Sequence, residues 1–190
     1  APEVFFSFYY RRMLSPALLS LATRGAYNLH GSLLPAYRGR CPVNWVLING
    51  ETRTGVTLHH MIDRPDAGDI VAQREVDIEL QDTALDLYQK LGRSAELLLR
   101  DVLPMIRKGI APRHPQDLSK GRYYGGRRPE DGRIDWTWPA LKIYNLIRAV
   151  TRPYPGAFAH LPDGRTMRIW WGQCVPSARD GTPGLLECRE

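Results

Sequence analysis

Two polar side chains at the end of a short apolar run have the types and spacing that stabilise a reacting carbonyl group. Asn28 and His30 are separated by one residue, so in a β-strand both side chains point to the same face. An amide and an imidazole side by side supply the two donors that a developing oxyanion needs. A carboxylate, Asp66, comes much later, in the sequence Asp66-Ala67-Gly68. We expect the fold to bring Asp66 to His30, where a nearby carboxylate favours the charged imidazole and raises its pKa.

Each of these three residues also has a structural explanation when it is taken alone. An Asn at a strand end often completes local hydrogen bonding, a lone His is often a satisfied core residue, and Asp66-Ala67-Gly68 predicts a turn. The three residues occur together, however, and a loop rich in Gly, Pro and Arg follows His30 over residues 31–40. Such a loop can wrap a ligand, so the combination favours a catalytic site.

The elements before Asn28 predict where the pair lies in a sheet. Residues 4–9 are aromatic and β-branched, which predicts a buried strand. Ser15 and Pro16 are typical of a helix N-terminus, and Gly25 is typical of a helix end. With residues 26–30 as the next strand, the pattern predicts a βαβ unit with two parallel strands. Ligands bind beyond the carboxyl ends of such strands, which is where Asn28 and His30 stand.

The rest of the chain predicts further helices and strands of an α/β protein. Thr83 is expected to cap a long helix that Pro104 kinks or ends. Residues 109–129 lack periodicity and predict an extended linker. The other predicted elements are helices over 42–49 and 139–150, strands over 55–61 and 70–76, and a hairpin of 157–161 with 166–172, followed by unfinished β structure.

The composition fits a globular protein of a reducing compartment. The 190 residues are 43% hydrophobic, which allows one substantial core or two small ones, and no apolar run reaches the length of a transmembrane helix. The three cysteines have no metal-binding or disulfide spacing, which predicts a cytoplasmic location. His59 and His60 are adjacent and would point to opposite faces of a strand, so we expect no metal site.

The net charge of +6 raises the question of a nucleic-acid partner. No run of Lys and Arg exceeds two residues, and acidic residues are interspersed along the chain. Solvated side chains therefore explain the charge better than an RNA-binding surface does. We expect no nucleic-acid partner and no membrane insertion, and we interpret Arg122, Arg127 and Arg128 as part of a solvated linker rather than a phosphate clamp.

Three motifs together resemble the signature of the formyltransferases that use 10-formyltetrahydrofolate. They are Asn28-x-His30, the loop of residues 32–39 and Asp66-x-Gly68. The resemblance implies that residues 1–152 are the C-terminal part of a Rossmann-like catalytic domain, with a parallel-type sheet, flanking helices and a linker. It implies that residues 153–190 begin a small OB-like β domain. Measured against the family, we expect the chain to lack the first strands of the catalytic domain and the end of the β domain.

Within this family, the details are similar to the members that formylate UDP-4-amino-4-deoxy-L-arabinose in lipid A modification, the basis of bacterial polymyxin resistance. Those members are bifunctional and also carry a UDP-glucuronate decarboxylase domain. The details that carry this similarity are His30-Gly31, Arg40-Cys41-Pro42-Val43-Asn44-Trp45, residues 66–73, and Arg148-Ala149-Val150 followed by Pro153-Tyr154-Pro155-Gly156-Ala157-Phe158.

The resemblance also implies a set of site residues and partners. Asn28, His30 and Asp66 would be catalytic. The formyl donor, 10-formyltetrahydrofolate, would be a co-substrate without a metal, the acceptor would be a small sugar nucleotide, and a domain outside this chain could form a homo-oligomer. Residues implied to line the folate site are Arg12, Met13, Leu14, Arg40, Ile62, Asp63, Arg64 and Pro65.

Three other functions remain open on the sequence alone. Methionyl-tRNA formyltransferase shares the chemistry but requires a basic surface for RNA and binding that weakens steeply with salt. Hydrolysis of formyl-folate would replace the amine by water. A non-catalytic folate- or nucleotide-binding module would not need the combination of Asn28, His30 and Asp66.

Overall fold

The computed structural model describes residues 2–10 and 12–174, and a four-stranded sheet lies at its centre. The strands are β1 (Phe5–Phe8), β2 (Ala26–His30), β3 (Arg38–Gly39), β4 (Arg53–His60), β5 (Ile70–Asp77), β6 (Tyr123–Tyr124), β7 (Ala157–His160) and β8 (Thr166–Ile169). The α-helices are α1 (Pro16–Leu19), α2 (Pro42–Ile48), α3 (Ala84–Lys108) and α4 (Ala140–Val150).

The central sheet is mixed, with the strand order β1-β2-β4-β5. β1 and β2 are parallel, with Phe5 opposite Ala26, which confirms the predicted βαβ unit. The other two pairs, β2 with β4 and β4 with β5, are antiparallel. β4 and β5 are joined by a short loop without a helix, and a connection of that kind cannot make the crossover that parallel strands require. The expectation of a parallel sheet therefore holds only for β1 and β2.

The helix α3 packs against β4 and β5, and α2 and α4 pack against α3 and against each other, with apolar side chains in one common core. α3 begins at the predicted cap, where the Thr83 hydroxyl and the Asp86 carboxylate form a capping box. The helix continues past Pro104 for one further turn to Lys108, so Pro104 does not end it. The buried stripe of α3, at helical spacing, consists of Leu87, Leu91, Ala95, Leu98, Val102 and Ile106.

The other face of the sheet is polar where β2 and β4 pair. Side chains alternate along a strand, and Leu29 and Leu58 belong to the apolar core on the helix side. The intervening side chains, Asn28, His30 and His59, therefore project to the opposite face. Asn28 stands opposite His59 in the antiparallel register. A buried polar surface is thus built into the middle of the sheet.

Two sequence-based predictions about the connections are wrong. The first helix ends at Leu19, well before Gly25. Residues 109–129 are not a solvated linker, because the chain there pairs with the sheet and with the loop after β2. His114 bridges to Ile70, and β6 pairs with β3 in parallel.

The chain after α4 forms a small β unit. β7 and β8 pair antiparallel, with Ala157 opposite Ile169, which confirms the predicted hairpin. The later part of the predicted β domain, residues 175–190, lies outside the described residues. Among the residues that the structure does describe, no helix has the length and apolar character needed to cross a membrane.

The packing of α3 against the sheet should dominate stability. Leu87 is fully buried, whereas Leu97 on the same helix is 40% exposed. We expect Leu87→Ala to lower the free energy of unfolding by about 2–5 kcal/mol, because it removes buried methyl groups and leaves a cavity. Urea unfolding measures this change. The matched variant Leu97→Ala should have a much smaller effect, and equal losses for the two variants would contradict the assigned orientation of α3.

Candidate active site

Four polar side chains from three separate parts of the chain meet on the polar face of β2 and β4. The Nδ1 atom of His30 lies 3.6 Å from Oδ1 of Asp66. The same carboxylate oxygen lies 3.5 Å from Nε2 of His59. The side-chain nitrogen of Asn28 lies 3.1 Å from that Nε2 atom. The fold therefore brings together the three residues that the sequence singled out and adds His59 between them.

Asp66 reaches this cluster from the loop between β4 and β5. Its backbone has a left-handed conformation, with φ of 52°, which non-glycine residues rarely adopt. Gly68, two residues later, has no room for a side chain, because a Cβ there would collide with the His60 carbonyl. The backbone N–H of Gly39 donates a hydrogen bond of 2.8 Å to the second carboxylate oxygen. The turn thus presents the carboxylate inward, toward the imidazoles.

The surroundings of Asp66 keep its carboxylate ionised although it is largely buried. Burial alone favours the neutral acid and raises the pKa. The contacts with His59 and His30 and the hydrogen bond from the Gly39 N–H outweigh burial, so the pKa of Asp66 lies below its ordinary value. At neutral pH the cluster therefore contains one fixed negative charge.

His30 carries its proton on the nitrogen that faces away from Asp66. Its Nε2 atom lies 2.8 Å from the Tyr37 carbonyl, and a carbonyl can only accept, so Nε2–H donates. Burial lowers the pKa of His30, and the opposing effects of Asp66 and of the Tyr37 hydrogen bond do not reverse this. Asp66 does raise the pKa of His30, as expected, but desolvation of the buried ring is the larger effect, so the net pKa lies below its ordinary value. At neutral pH the ring is neutral, with the Nδ1 lone pair facing the carboxylate.

His59 is a functional candidate that the sequence interpretation missed. Its Nδ1–H donates to the His60 carbonyl at 2.9 Å, which leaves Nε2 to accept a hydrogen bond from Asn28. The side chain is only 2% exposed. The adjacency of His59 and His60 in the sequence raises only the question of metal chelation. The feature that identifies His59 is its position opposite Asn28 in the pairing of β2 with β4. That register cannot be determined from the chain alone. Among the described residues, no group of three His, Cys, Asp or Glu side chains could hold a metal ion.

The predicted folate-site residues lie on loops at both ends of β2. Arg12, Met13 and Leu14 follow β1, which ends beside Leu29. Residues 62–65 follow β4, which ends beside Tyr27. Met13 is 54% exposed and Ile62 is 39% exposed, so both offer apolar surface to a ligand. Arg40 is also exposed, next to Gly126. The loops flank the polar face, and their role in folate binding stays a prediction.

Two family models match this chain. Residues 1–103 match the model described as formyl transferase. Residues 127–190 match the model described as the formyl transferase C-terminal domain. The first match alone covers more than half of the chain and includes Asn28, His30 and Asp66.

Several solved structures share this fold. A 4-N formyltransferase from Francisella tularensis aligns with a TM-score of 0.79 and 24% identity, over 88% of this chain and 69% of its own length. The N-formyltransferase from Helicobacter canadensis, in complex with folinic acid and dTDP-3-aminofucose, aligns with a TM-score of 0.69 and 27% identity, over 76% of this chain and 54% of its own. A formyltransferase from Anoxybacillus kamchatkensis, in complex with UDP-4,6-dideoxy-4-formamido-L-AltNAc and tetrahydrofolate, aligns with a TM-score of 0.60 and 32% identity, over 65% of this chain and 64% of its own.

The lowered pKa of His30 makes the stability of the folded protein depend on pH. The unfolded chain binds a proton at His30 near the ordinary pKa of 6.5, whereas the folded protein binds it only at lower pH. The free energy of unfolding should therefore fall as the pH drops below 6.5, with a limiting slope of about 1.4 kcal/mol per pH unit for one site. Urea unfolding between about pH 7.5 and about pH 5 measures this slope. His30→Gln should reduce it, and so should His60→Gln, because burial lowers the pKa of His60 as well. An unchanged slope in His30→Gln would contradict a buried neutral ring.

Proposed function

The chain belongs to the formyl transferase family, and on this premise we propose that it moves a formyl group from 10-formyltetrahydrofolate to the 4-amine of UDP-4-amino-4-deoxy-L-arabinose. The single observation that carries the proposal is the buried cluster in which Asn28, a neutral His30 and an ionised Asp66 meet on one face. Simple binding does not require such a cluster, whereas amide formation requires a donor for an oxyanion and an acceptor for a proton.

The folate and sugar-nucleotide partners are supported by the similar proteins. The Anoxybacillus kamchatkensis enzyme is described in complex with tetrahydrofolate and a UDP-linked 4-formamido sugar, and the Helicobacter canadensis enzyme with folinic acid and a dTDP-linked amino sugar. The choice of amino-arabinose rests on the sequence details from His30-Gly31 to Pro153-Tyr154. The sparse cysteines support a cytoplasmic location. We also propose that the catalytic domain with its linker ends at residue 152 and that the β domain begins at residue 153.

In this mechanism the acceptor amine attacks the formyl carbon and a new C–N bond forms. Negative charge develops on the former carbonyl oxygen of the formyl group. One N–H of the Asn28 amide is engaged by His59, and the second is available to donate to that oxygen. His59 thereby fixes the orientation of the amide before the substrate arrives, which is the preorganisation that makes such donors effective.

The attacking amine must lose a proton, and the structure offers His30 Nδ1 as the acceptor. This nitrogen is unprotonated because Nε2–H is engaged by the Tyr37 carbonyl. Asp66, 3.6 Å away, would stabilise the imidazolium that forms. When the bond from the formyl carbon to N10 of the folate breaks, the proton passes from His30 to that nitrogen and tetrahydrofolate leaves. His30 therefore acts first as a base and then as an acid.

Loss of any one of the three catalytic residues should nearly abolish transfer. We expect Asn28→Ala, His30→Ala and Asp66→Ala each to lower kcat by about 100- to 1000-fold, the usual effect of removing one such group. Mass spectrometry of the formylated sugar nucleotide measures turnover, and circular dichroism checks the fold. Asp101→Ala, an exposed substitution on α3, is the control and should keep wild-type turnover. Near-normal turnover in folded His30→Ala would rule the mechanism out.

The pH dependence distinguishes a neutral His30 base from a protonated His30 donor. Because the free protein lowers the pKa of His30, kcat/KM should be flat at neutral pH and fall only below the ordinary value of 6.5, as the ring becomes protonated. This acid limb should disappear from the residual activity of His30→Gln. A profile that falls as the pH rises through neutrality would instead show that the protonated ring is the active form.

The acceptor can be identified by direct competition among substrates. UDP-4-amino-4-deoxy-L-arabinose, other UDP- and dTDP-linked amino sugars and methionyl-tRNA should be offered with the same formyl donor. We expect the highest kcat/KM for the UDP-linked 4-amino sugar. Preferred formylation of methionyl-tRNA, with salt-sensitive binding, would replace the proposed acceptor. Release of formate without any formylated acceptor would show a hydrolase.

A further inference from the structure

Residues 116–124, which we call the brace, contact both loops that build the catalytic cluster. The brace begins at Gln116, beside the turn of Asp66. The side-chain nitrogen of Gln116 donates to the Asp66 carbonyl at 3.1 Å and to the Gly68 carbonyl at 2.6 Å. Both neighbours are carbonyls, so the amide must present its N–H groups to them. Gln116 therefore ties down the peptide groups that follow Asp66 and Gly68.

The second contact of the brace is with Arg38, in the loop after β2. Arg38 is only 7% exposed, and its guanidinium donates to the Leu118 carbonyl at 3.2 Å and to the Gly121 carbonyl at 3.1 Å. The two neighbours of Arg38 in sequence both touch catalytic side chains. The Tyr37 carbonyl accepts from His30, and the Gly39 N–H donates to Asp66.

The backbones of the brace and of this loop are also joined. The N–H groups of Arg38 and Arg40 donate to the carbonyls of Arg122 and Tyr124, at 3.1 Å and 2.9 Å. The approach is so close that a Cβ at Gly121 would collide with the Pro35 carbonyl, and a Cβ at Gly39 with the Tyr124 carbonyl. The rings of Tyr37 and Tyr124 stack, with centroids 4.8 Å apart. The brace and the loop are therefore joined by backbone hydrogen bonds, close packing and a stacked ring pair.

These contacts bear on the one strained residue of the cluster. Asp66 has a left-handed backbone, and such a conformation persists only where the surroundings over-determine it. The hydrogen bonds from Gln116 hold the backbone of the turn, and the hydrogen bond from the Gly39 N–H holds the carboxylate. Gly39 is in turn fixed through Arg38. Both restraints on Asp66 thus lead back to the brace.

We propose that the brace sets the position of Asp66 relative to His30, with Gln116 and Arg38 as positioning residues for formyl transfer. The proposal rests on the proposed function for its kinetic consequences. Neither residue touches the reacting atoms. They act by holding the carboxylate, the Tyr37 carbonyl and the Gly39 N–H at the distances that the proton transfer requires.

The first test removes the restraint on the Asp66 turn. Gln116→Glu keeps the size of the side chain, but a carboxylate cannot donate to the two carbonyls, and Gln116→Ala removes the side chain entirely. We expect kcat to fall about 100-fold in both variants, the usual effect of a displacement near 1 Å in a catalytic group, with the KM values for donor and acceptor nearly unchanged. Gln89→Ala, at an exposed glutamine of α3, is the matched control and should keep the wild-type kcat.

The second test requires no turnover. In the ligand-free protein Asp66 opposes the lowering of the His30 pKa, so its withdrawal in Gln116→Ala should lower the pKa of His30 further. NMR titration of the His30 ring measures this shift in the wild type, in Gln116→Ala and in Gln89→Ala. Because this readout is independent of substrates, an inactive wild-type protein would contradict the proposed function without affecting the test of the brace.

Arg38 is tested by a conservative variant, since Arg38→Ala could fail to fold. Lysine keeps the charge but cannot span two carbonyls as the planar guanidinium does. We expect Arg38→Lys to remain folded and to lose kcat with little change in KM, whereas Arg107→Lys, exposed in the last turn of α3, should behave as the wild type. Wild-type kcat and an unshifted His30 titration in folded Gln116→Ala, or a wild-type kcat in Arg38→Lys, would overturn the proposal.

Discussion

The buried carboxylate of Asp66 is the constraint on which the rest of the site depends. A charge removed from water must be compensated by hydrogen bonds and by groups of opposite polarity. Here the Gly39 N–H donates a hydrogen bond to one carboxylate oxygen, and two imidazoles on neighbouring strands lie against the other oxygen. No single element could supply all three contacts. Keeping Asp66 ionised therefore requires β2, β4 and the loop after β2 to be assembled around it.

The same burial sets the protonation state of His30. A ring in water beside a carboxylate would gain a proton, but a ring that is only 6% exposed loses more from desolvation than it gains from the neighbouring charge. The result is a neutral base next to a fixed anion. In the free protein the Nδ1 lone pair faces the carboxylate without a proton between them, and a proton taken from an amine would relieve that unfavourable contact.

The sequence predicted local elements well because their determinants are local. The apolar run ending at His30, the cap at Thr83 and the hairpin around Pro162-Asp163-Gly164-Arg165 depend on residues close together in the chain. Prediction from the sequence failed where contacts between distant segments determine the structure. The segment 109–129 has the composition of a linker, yet its carbonyls are the partners of Arg38. His59 and the sign of the His30 shift likewise depend on a register and on a burial that no local pattern encodes.

The most direct measurement is a nitrogen NMR spectrum of the His30 imidazole in the ligand-free protein at about pH 7. The chemical shifts of the two ring nitrogens report which of them carries a proton. A neutral ring with its proton on Nε2, and a bare Nδ1 that gains a proton only at lower pH, is the expected result. A doubly protonated ring at neutral pH, or a proton resident on Nδ1, would contradict a site built around a buried anion and a neutral base.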